Sequence, residues 1–172
     1  MKCLEAIEGR RSIRKFKDSS IGKEVIKELL KAAQMAPSAG NLQARDFIVV
    51  SEKKIKEQLT KAALDQPFVE HAPIVIVVVA NIERSSLKYG SRGELYAIQD
   101  ATASVMNLLL AAYSRGLATC WVGAFDENAV CIILGLPHKI KPIAIIPIGY
   151  SDEKPNAPPR MELDRVVHWE TW

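Results

Sequence analysis

Residues 73–80, Pro73-Ile-Val-Ile-Val-Val-Val-Ala80, decide how the rest of the chain has to be arranged. The run is the longest apolar stretch in the sequence, and at eight residues it is far short of the roughly 20 a bilayer requires. Its β-branched side chains suit a strand, and successive strand residues point to opposite faces. A strand that is apolar on both faces needs a covering layer on each side of its sheet. The run therefore predicts a buried central strand between two layers.

The flanking sequence supplies those layers. Before the run, Phe47 to Val50 reads as a strand and Ile55, Leu59 and Ala62 mark a helix. Further back, Val25, Ile26, Leu29, Leu30 and Ala33 form one helical face, capped by Gly22 and stopped by Pro37. Met1 to Glu8 predicts a short helix ended by Gly9. After the run, the longest helix is expected from about Glu94 to Arg115, with Leu95, Ile98, Thr102, Val105, Met106, Leu109 and Ala112 at helical spacing and Gly116 beyond its end. Ala118 to Val122 and Ile143 to Ile148 predict strands, and Glu127 to Leu134 a helix closed by Gly135 and Pro137. A Pro-rich segment, Ser151 to Pro159, leads to the stretch from Val166 to Trp172. Helices alternating with strands favour, on periodicity alone, a parallel α/β sheet.

The 172 residues suit one domain, and no repeat or linker divides them. Hydrophobic residues make up 48% and charged residues 25%, a globular balance that argues against disorder. A net charge of +3 without aromatic residues interleaved among the basic ones argues against a nucleic-acid partner. The first residues lack the apolar centre of a signal peptide, and Cys3, Cys120 and Cys131 match no zinc or redox spacing. Reduced thiols in a cytoplasmic protein with no membrane partner are expected. His71, His138 and His168 show no ligand spacing, so no metal site is expected.

Four stretches carry possible chemistry, each with an ordinary alternative. Arg10, Arg11, Ser12 and Arg14 place three guanidinium groups and a hydroxyl within five residues, which suits a phosphate or equally a solvated basic turn. Pro37-Ser38-Ala39-Gly40-Asn41-Leu42-Gln43 lets a backbone approach a flat ligand while amides read its edge, or is a plain helix stop. Thr119-Cys120-Trp121-Val122-Gly123-Ala124-Phe125 lies between a strand and a helix, where free N–H groups and small residues admit a ring. No histidine adjoins Cys120 in sequence, so a buried structural cysteine is the simpler reading. Arg160 follows Pro158-Pro159, which delivers one arginine on a stiff segment, to an anion or to solvent.

In order and spacing, RRSIRKF, APSAGNLQ, LLLAAYSRGLATCWVGAF and PIGYSDEKPNAPPR resemble the four signature regions of the FMN-dependent nitroreductases, over essentially the whole chain. The resemblance implies an α+β fold of three layers (α-β-α) with a mixed, mainly antiparallel central sheet, which replaces the parallel expectation. It implies a homodimer with FMN sites at the interface and a C-terminal strand, Val166 to Trp172, exchanged onto the partner's sheet. Carried over by position, Arg10 and Ser12 grip the FMN phosphate and ribityl chain beside Arg11, and Arg160 closes on the phosphate. Arg14 faces the pyrimidine edge, where a cation favours the reduced flavin. Pro37, Ser38, Ala39 and Asn41, with Gln43, come from the second subunit, and Val122, Gly123 and Ala124 line one flavin face.

The implied activity passes electrons from NAD(P)H through bound FMN to a small acceptor of nitroaromatic, quinone or flavin type, by a ping-pong mechanism. The flavin carries the chemistry, so no side chain is assigned as catalytic. The alternatives are an FMN-binding protein with little turnover, or a related flavoenzyme such as a reductive dehalogenase, for whose longer lid this chain has little room beyond Tyr89 to Leu95. Two departures stand out. Ala44-Arg45 replace the family's Pro-Trp, placing Arg45 where it could alter the pocket mouth, and Gln66 stands near the position of a flavin-edge lysine in larger members.

Overall fold

A computed structural model describes residues 2–172, so the expected helix start at Met1 lies outside the described residues. The strands are β1 (Arg45–Val50), β2 (Ile74–Asn81), β3 (Ala118–Thr119) and β4 (Ile140–Gly149). The helices are α1 (Cys3–Gly9), α2 (Lys23–Gln34), α3 (Lys53–Ala62), α4 (Phe68–His71), α5 (Ile82–Tyr89), α6 (Gly93–Ser114) and α7 (Glu127–Leu134). None of the described helices is long and apolar enough to cross a membrane.

The central run behaves as its composition requires. On β2, Ile76, Val78 and Ala80 pack on one face with α2 and α6, joined by Ala144, Ile146 and Ile148 of β4. Val75, Val77 and Val79 pack on the other with Leu59 of α3, Phe68 and Val69 of α4, and Val130 of α7. The result is a three-layer α+β fold.

The sheet order is β1-β2-β4-β3, and every strand pair is antiparallel. One parallel bridge, Ser12 to Thr119, lies against the β3 edge and makes the sheet mixed. The parallel expectation from alternating elements is therefore corrected, and the connection from β1 to β2 gives the reason. Val50 at the end of β1 lies opposite Val75 at the start of β2, so the chain must leave and return at the same end of the sheet. A single helix would carry it to the far end. The second helix, α4, follows a turn at Leu64 and Asp65, both with φ of 56°, and helps to bring it back. Periodicity found α3 but not the four-residue α4.

Helix α6 buries Val105, Leu109 and Ala112 of the expected stripe together with Ala97, Ala101, Ser104 and Leu108, while Leu95 and Met106 are exposed. Gly116, with φ of 73°, ends the helix as expected. Its N–H donates to Tyr113 O at 3.0 Å, and the Leu117 N–H donates to Ala112 O at 2.9 Å, the paired bonds of a Schellman turn.

At its start α6 is pressed against α5. A Cβ on Gly93 would stand 2.4 Å from the Ser86 Cα and 2.5 Å from its backbone nitrogen. In an open helix Gly→Ala gains up to about 1 kcal/mol. Here the contact reverses the sign: Gly93→Ala should destabilise the fold by about 1–3 kcal/mol, as overpacking does, measured by urea unfolding.

Candidate functional site

The basic segment near the start of the chain is fixed from its backbone. The Ile13 N–H donates to Thr119 O at 3.0 Å, Lys17 N–H to Tyr150 O at 2.9 Å, and Asp152 N–H to Lys15 O at 2.9 Å. Glu153 accepts from the backbone amides of Arg14 and Lys15. Ile13 is buried by these contacts, leaving Ser12 half-buried and Arg14 exposed. The segment therefore runs as a short ribbon along the β3 edge.

Its guanidinium groups are not equivalent. Arg11 turns back and donates to Glu8 O and, at 2.8 Å, to Arg10 O, capping the end of α1. Arg14 lies over the Phe68 ring, 5.7 Å from its centroid. Neither Arg10 nor Arg14 enters an ion pair among the described residues. A cleft of about 340 Å³ opens beside Arg10, lined also by Arg11, Tyr113, Ser151 and Lys154.

Cys120 lies beneath this ribbon, 2% exposed. Burial pushes its thiol up from the ordinary value, against the opposing pull of Arg14, the neighbouring Ser12 hydroxyl and Arg10. The positive field of the two arginines thus converges beside Ser12. Beyond Cys120, Val122 is buried and bridges Ile145, while Gly123 and Ala124 are exposed. A Cβ on Gly123 would touch only the Trp121 side chain, at 3.5 Å and beyond, so the surface before it is open. Gln66 donates to Ala63 O at 2.8 Å and to Ala124 O at 3.3 Å, fastening this loop to the end of α3.

The loop from Pro37 to Gln43 is built elsewhere. It joins α2 to β1 and includes a short 3-10 turn, Ala39–Asn41. Gly40, Asn41 and Gln43 have φ of 55°, 56° and 51°. The Ser38 hydroxyl accepts from the Gln43 N–H at 3.0 Å. Asp100 of α6 accepts from the Ala39 N–H at 2.9 Å and from the Ala44 N–H at 3.2 Å.

Asp100 was missed by the sequence reading. Its one signal was a carboxylate in line with the buried face of α6, between Ala97 and Ala101. Arg45 was expected at a pocket mouth and is instead 4% exposed, donating to Gln34 O at 2.6 Å and Ala36 O at 2.8 Å. Burial lowers its pKa, Asp100 opposes that change and Arg84 adds to it.

Within one chain the predicted residues form two groups. Ser12 lies by Thr119, opposite Ile148 near the end of β4, whereas the 37–43 loop enters β1 at Arg45, which is level with Ala80 and the start of β4. The groups occupy opposite edges and opposite ends of the sheet. Ser12 and the start of β1 are separated by roughly 19 Å across the strands and roughly 23 Å along them. Arg160 joins neither group: it is exposed and donates only to Pro158 O and Pro159 O.

Thiol chemistry reads this geometry directly. At pH 8 exposed Cys3 should react rapidly with a maleimide, whereas Cys120, buried and with a raised pKa, should react only after unfolding. Peptide mapping of the labelled protein assigns the sites, and rapid labelling of native Cys120 would contradict its burial.

Comparison with known proteins agrees with the fold. The family model described as the nitroreductase family matches residues 7–69 and 61–150. An Archaeoglobus fulgidus protein, provisionally named NADH dehydrogenase/NAD(P)H nitroreductase, is 36% identical over 177 residues, covering 99% of this chain and 98% of its own. The FMN reductase [NAD(P)H] of Bacillus subtilis is 27% identical, over 98% of this chain and 74% of its own. Nitroreductase A of Vibrio parahaemolyticus superposes with a TM-score of 0.93 at 30% identity, covering 100% of this chain and 77% of that one. The NADPH:FMN oxidoreductase of Vibrio harveyi, solved with NAD+, gives 0.92 at 27% identity, over 99% and 77%. The chain belongs to the nitroreductase family.

Proposed function

We propose that the protein is a single-domain FMN-dependent oxidoreductase, working as a homodimer, that passes electrons from NAD(P)H to a small acceptor by a ping-pong mechanism. One observation carries the reading: Arg10 and Arg14, free of ion pairs among the described residues, flank Ser12 over Cys120, three residues before the open surface at Gly123 and Ala124. That donor set fits a phosphorylated, flat, electron-accepting coenzyme. The names of the Bacillus subtilis and Vibrio harveyi relatives support FMN and a nicotinamide donor.

When bound, FMN supplies the chemistry by accepting a hydride and returning electrons. The chain binds and orients. Arg10 and Ser12 hold the phosphate and ribityl chain, Arg11 stiffens the ribbon from behind, and Arg160 swings in from the tail to close on the phosphate. Arg14 sets a positive charge at the pyrimidine edge, favouring the negative charge that reduction brings. Val122, Gly123 and Ala124 form the surface under the ring and leave its opposite side to nicotinamide and acceptor in turn.

Pro37, Ser38, Ala39, Asn41 and Gln43 lie too far from this group to share its ring within one chain, so they act on the site of a second copy. The tail gives that copy a hold. Val166, Trp169 and Trp172 are exposed, and Leu163–Arg165 is a single 3-10 turn rather than a strand. On a partner, the segment 166–172 adds a strand at the free β1 edge, where Lys27, Lys31 and Arg84 line a groove suited to Glu162, Asp164 and Glu170. A lid is not part of this reading: Gly90–Arg92, in the stretch between Tyr89 and Leu95, is one turn joining α5 to α6.

Purified protein should be yellow and release FMN on denaturation, and anaerobic NADH or NADPH should bleach it. Little bleaching with either would favour a flavin carrier. Arg10→Ala and Arg160→Ala should fold and lose colour, and full flavin in both would overturn the phosphate assignment. Gln66→Lys, which brings a cation to the Ala124 loop, should raise the flavin's reduction potential in a redox titration.

A further inference from the structure

The 37–43 loop is held in a conformation its sequence does not favour. Asn41 and Gln43 join Gly40 at positive φ, a region that a residue such as glutamine holds only when its surroundings impose it. The surroundings are specific. The two oxygens of Asp100 accept from Ala39 and Ala44, the amides just before Gly40 and just after Gln43. Ser38 accepts the Gln43 N–H, and Arg84 donates to Gln43 O at 2.6 Å.

Asp100 is 4% exposed and is the acidic residue among otherwise alanine, serine, glycine and aliphatic side chains on the buried face of α6. A buried carboxylate is costly unless it is paired and hydrogen-bonded, and stability of α6 alone would be better served by alanine. Its carboxylate oxygens accept from the loop rather than from its own helix. The nearby charge of Arg45 complements it. That guanidinium is fixed through one nitrogen to the carbonyls of Gln34 and Ala36, while its Nε and Nη1 are buried without hydrogen-bond partners.

We infer that Asp100 is a positioning residue for the coenzyme site of the opposite subunit, clamping both ends of the Ala39–Gln43 turn so that its amides and backbone meet the flavin in one fixed shape. The inference rests on the proposed dimeric FMN site. It assigns a side chain on α6 of one subunit to the coenzyme affinity of the other. Asparagine at position 100 keeps the size but presents a donor to one of the two amides, which loosens the turn.

The test uses differently tagged subunits isolated as a mixed dimer of Arg10→Ala and Asp100→Asn chains, with FMN affinity and stoichiometry read by flavin fluorescence. Each homodimer should bind FMN about tenfold or more weakly than wild type. In the mixed dimer one site inherits both defects. The other combines an intact Arg10 with an intact clamp, so one FMN per dimer should bind with wild-type affinity. A mixed dimer without a tight site would overturn the inference, since Asp100 would then act within its own subunit or only through stability.

Wild-type affinity in the Asp100→Asn homodimer would overturn it as well. Wild-type affinity in the Arg10→Ala homodimer would instead refute the phosphate assignment, and the Asp100→Asn homodimer alone would then decide the positioning role. Should Asp100→Asn not fold, Asp100→Glu replaces it. Glutamate keeps the charge but displaces the turn, and the same outcomes apply.

Discussion

The whole arrangement hangs on the alternation of β2 between two dry faces. Val75, Val77 and Val79 seat α3, α4 and α7, while Ile76, Val78 and Ala80 seat α2 and α6. A slip of one residue in this strand would exchange the two sets and misfit every helix at once. Pairing on both sides, with β1 over six residues and with β4 over eight, fixes that register. The strand is therefore both the core of the molecule and the ruler against which its loops are placed.

The ruler explains why reactive segments sit where they do. The arginine ribbon is sewn to the β3 edge through Thr119 and Tyr150, and the 37–43 loop enters at the far corner of β1. The ribbon has Ile13 and Phe16 as apolar anchors, while the 37–43 loop has no large apolar side chain in the core. Each is held through backbone hydrogen bonds, with Glu153 serving one and Asp100 the other. Side chains that meet a ligand can thus vary while the path of the backbone stays fixed.

Much of this was legible because some signals are local. The two-faced run from 73 to 80 announced the layers, and Gly22, Gly116 and Gly135 marked helix ends where they were expected. What escaped depends on partners distant in sequence. Strand direction turned on α4, only four residues long, and α5 follows β2 without a break, its buried position held by Ser85 rather than an apolar residue. On α6 the expected stripe held at Val105, Leu109 and Ala112, while Leu95 and Met106 face outward because Ala97, Ala101 and Ser104 take up the rest of the inner face. For the site, ordered motifs brought out the arginines and the small-residue loops. Asp100 was hidden inside a long helix, and Arg45 was misplaced because a charged side chain was not expected beneath the sheet edge.

The neighbouring charges of Arg45 and Asp100 depend on each other unequally. Without Arg45, Asp100 would still accept two backbone N–H groups. Without Asp100, Arg45 would keep its cationic head in a dry place with two N–H groups unmet and only carbonyl dipoles for company. Descent could therefore acquire the carboxylate first and the arginine afterwards with little penalty, whereas the opposite order passes through an isolated interior cation.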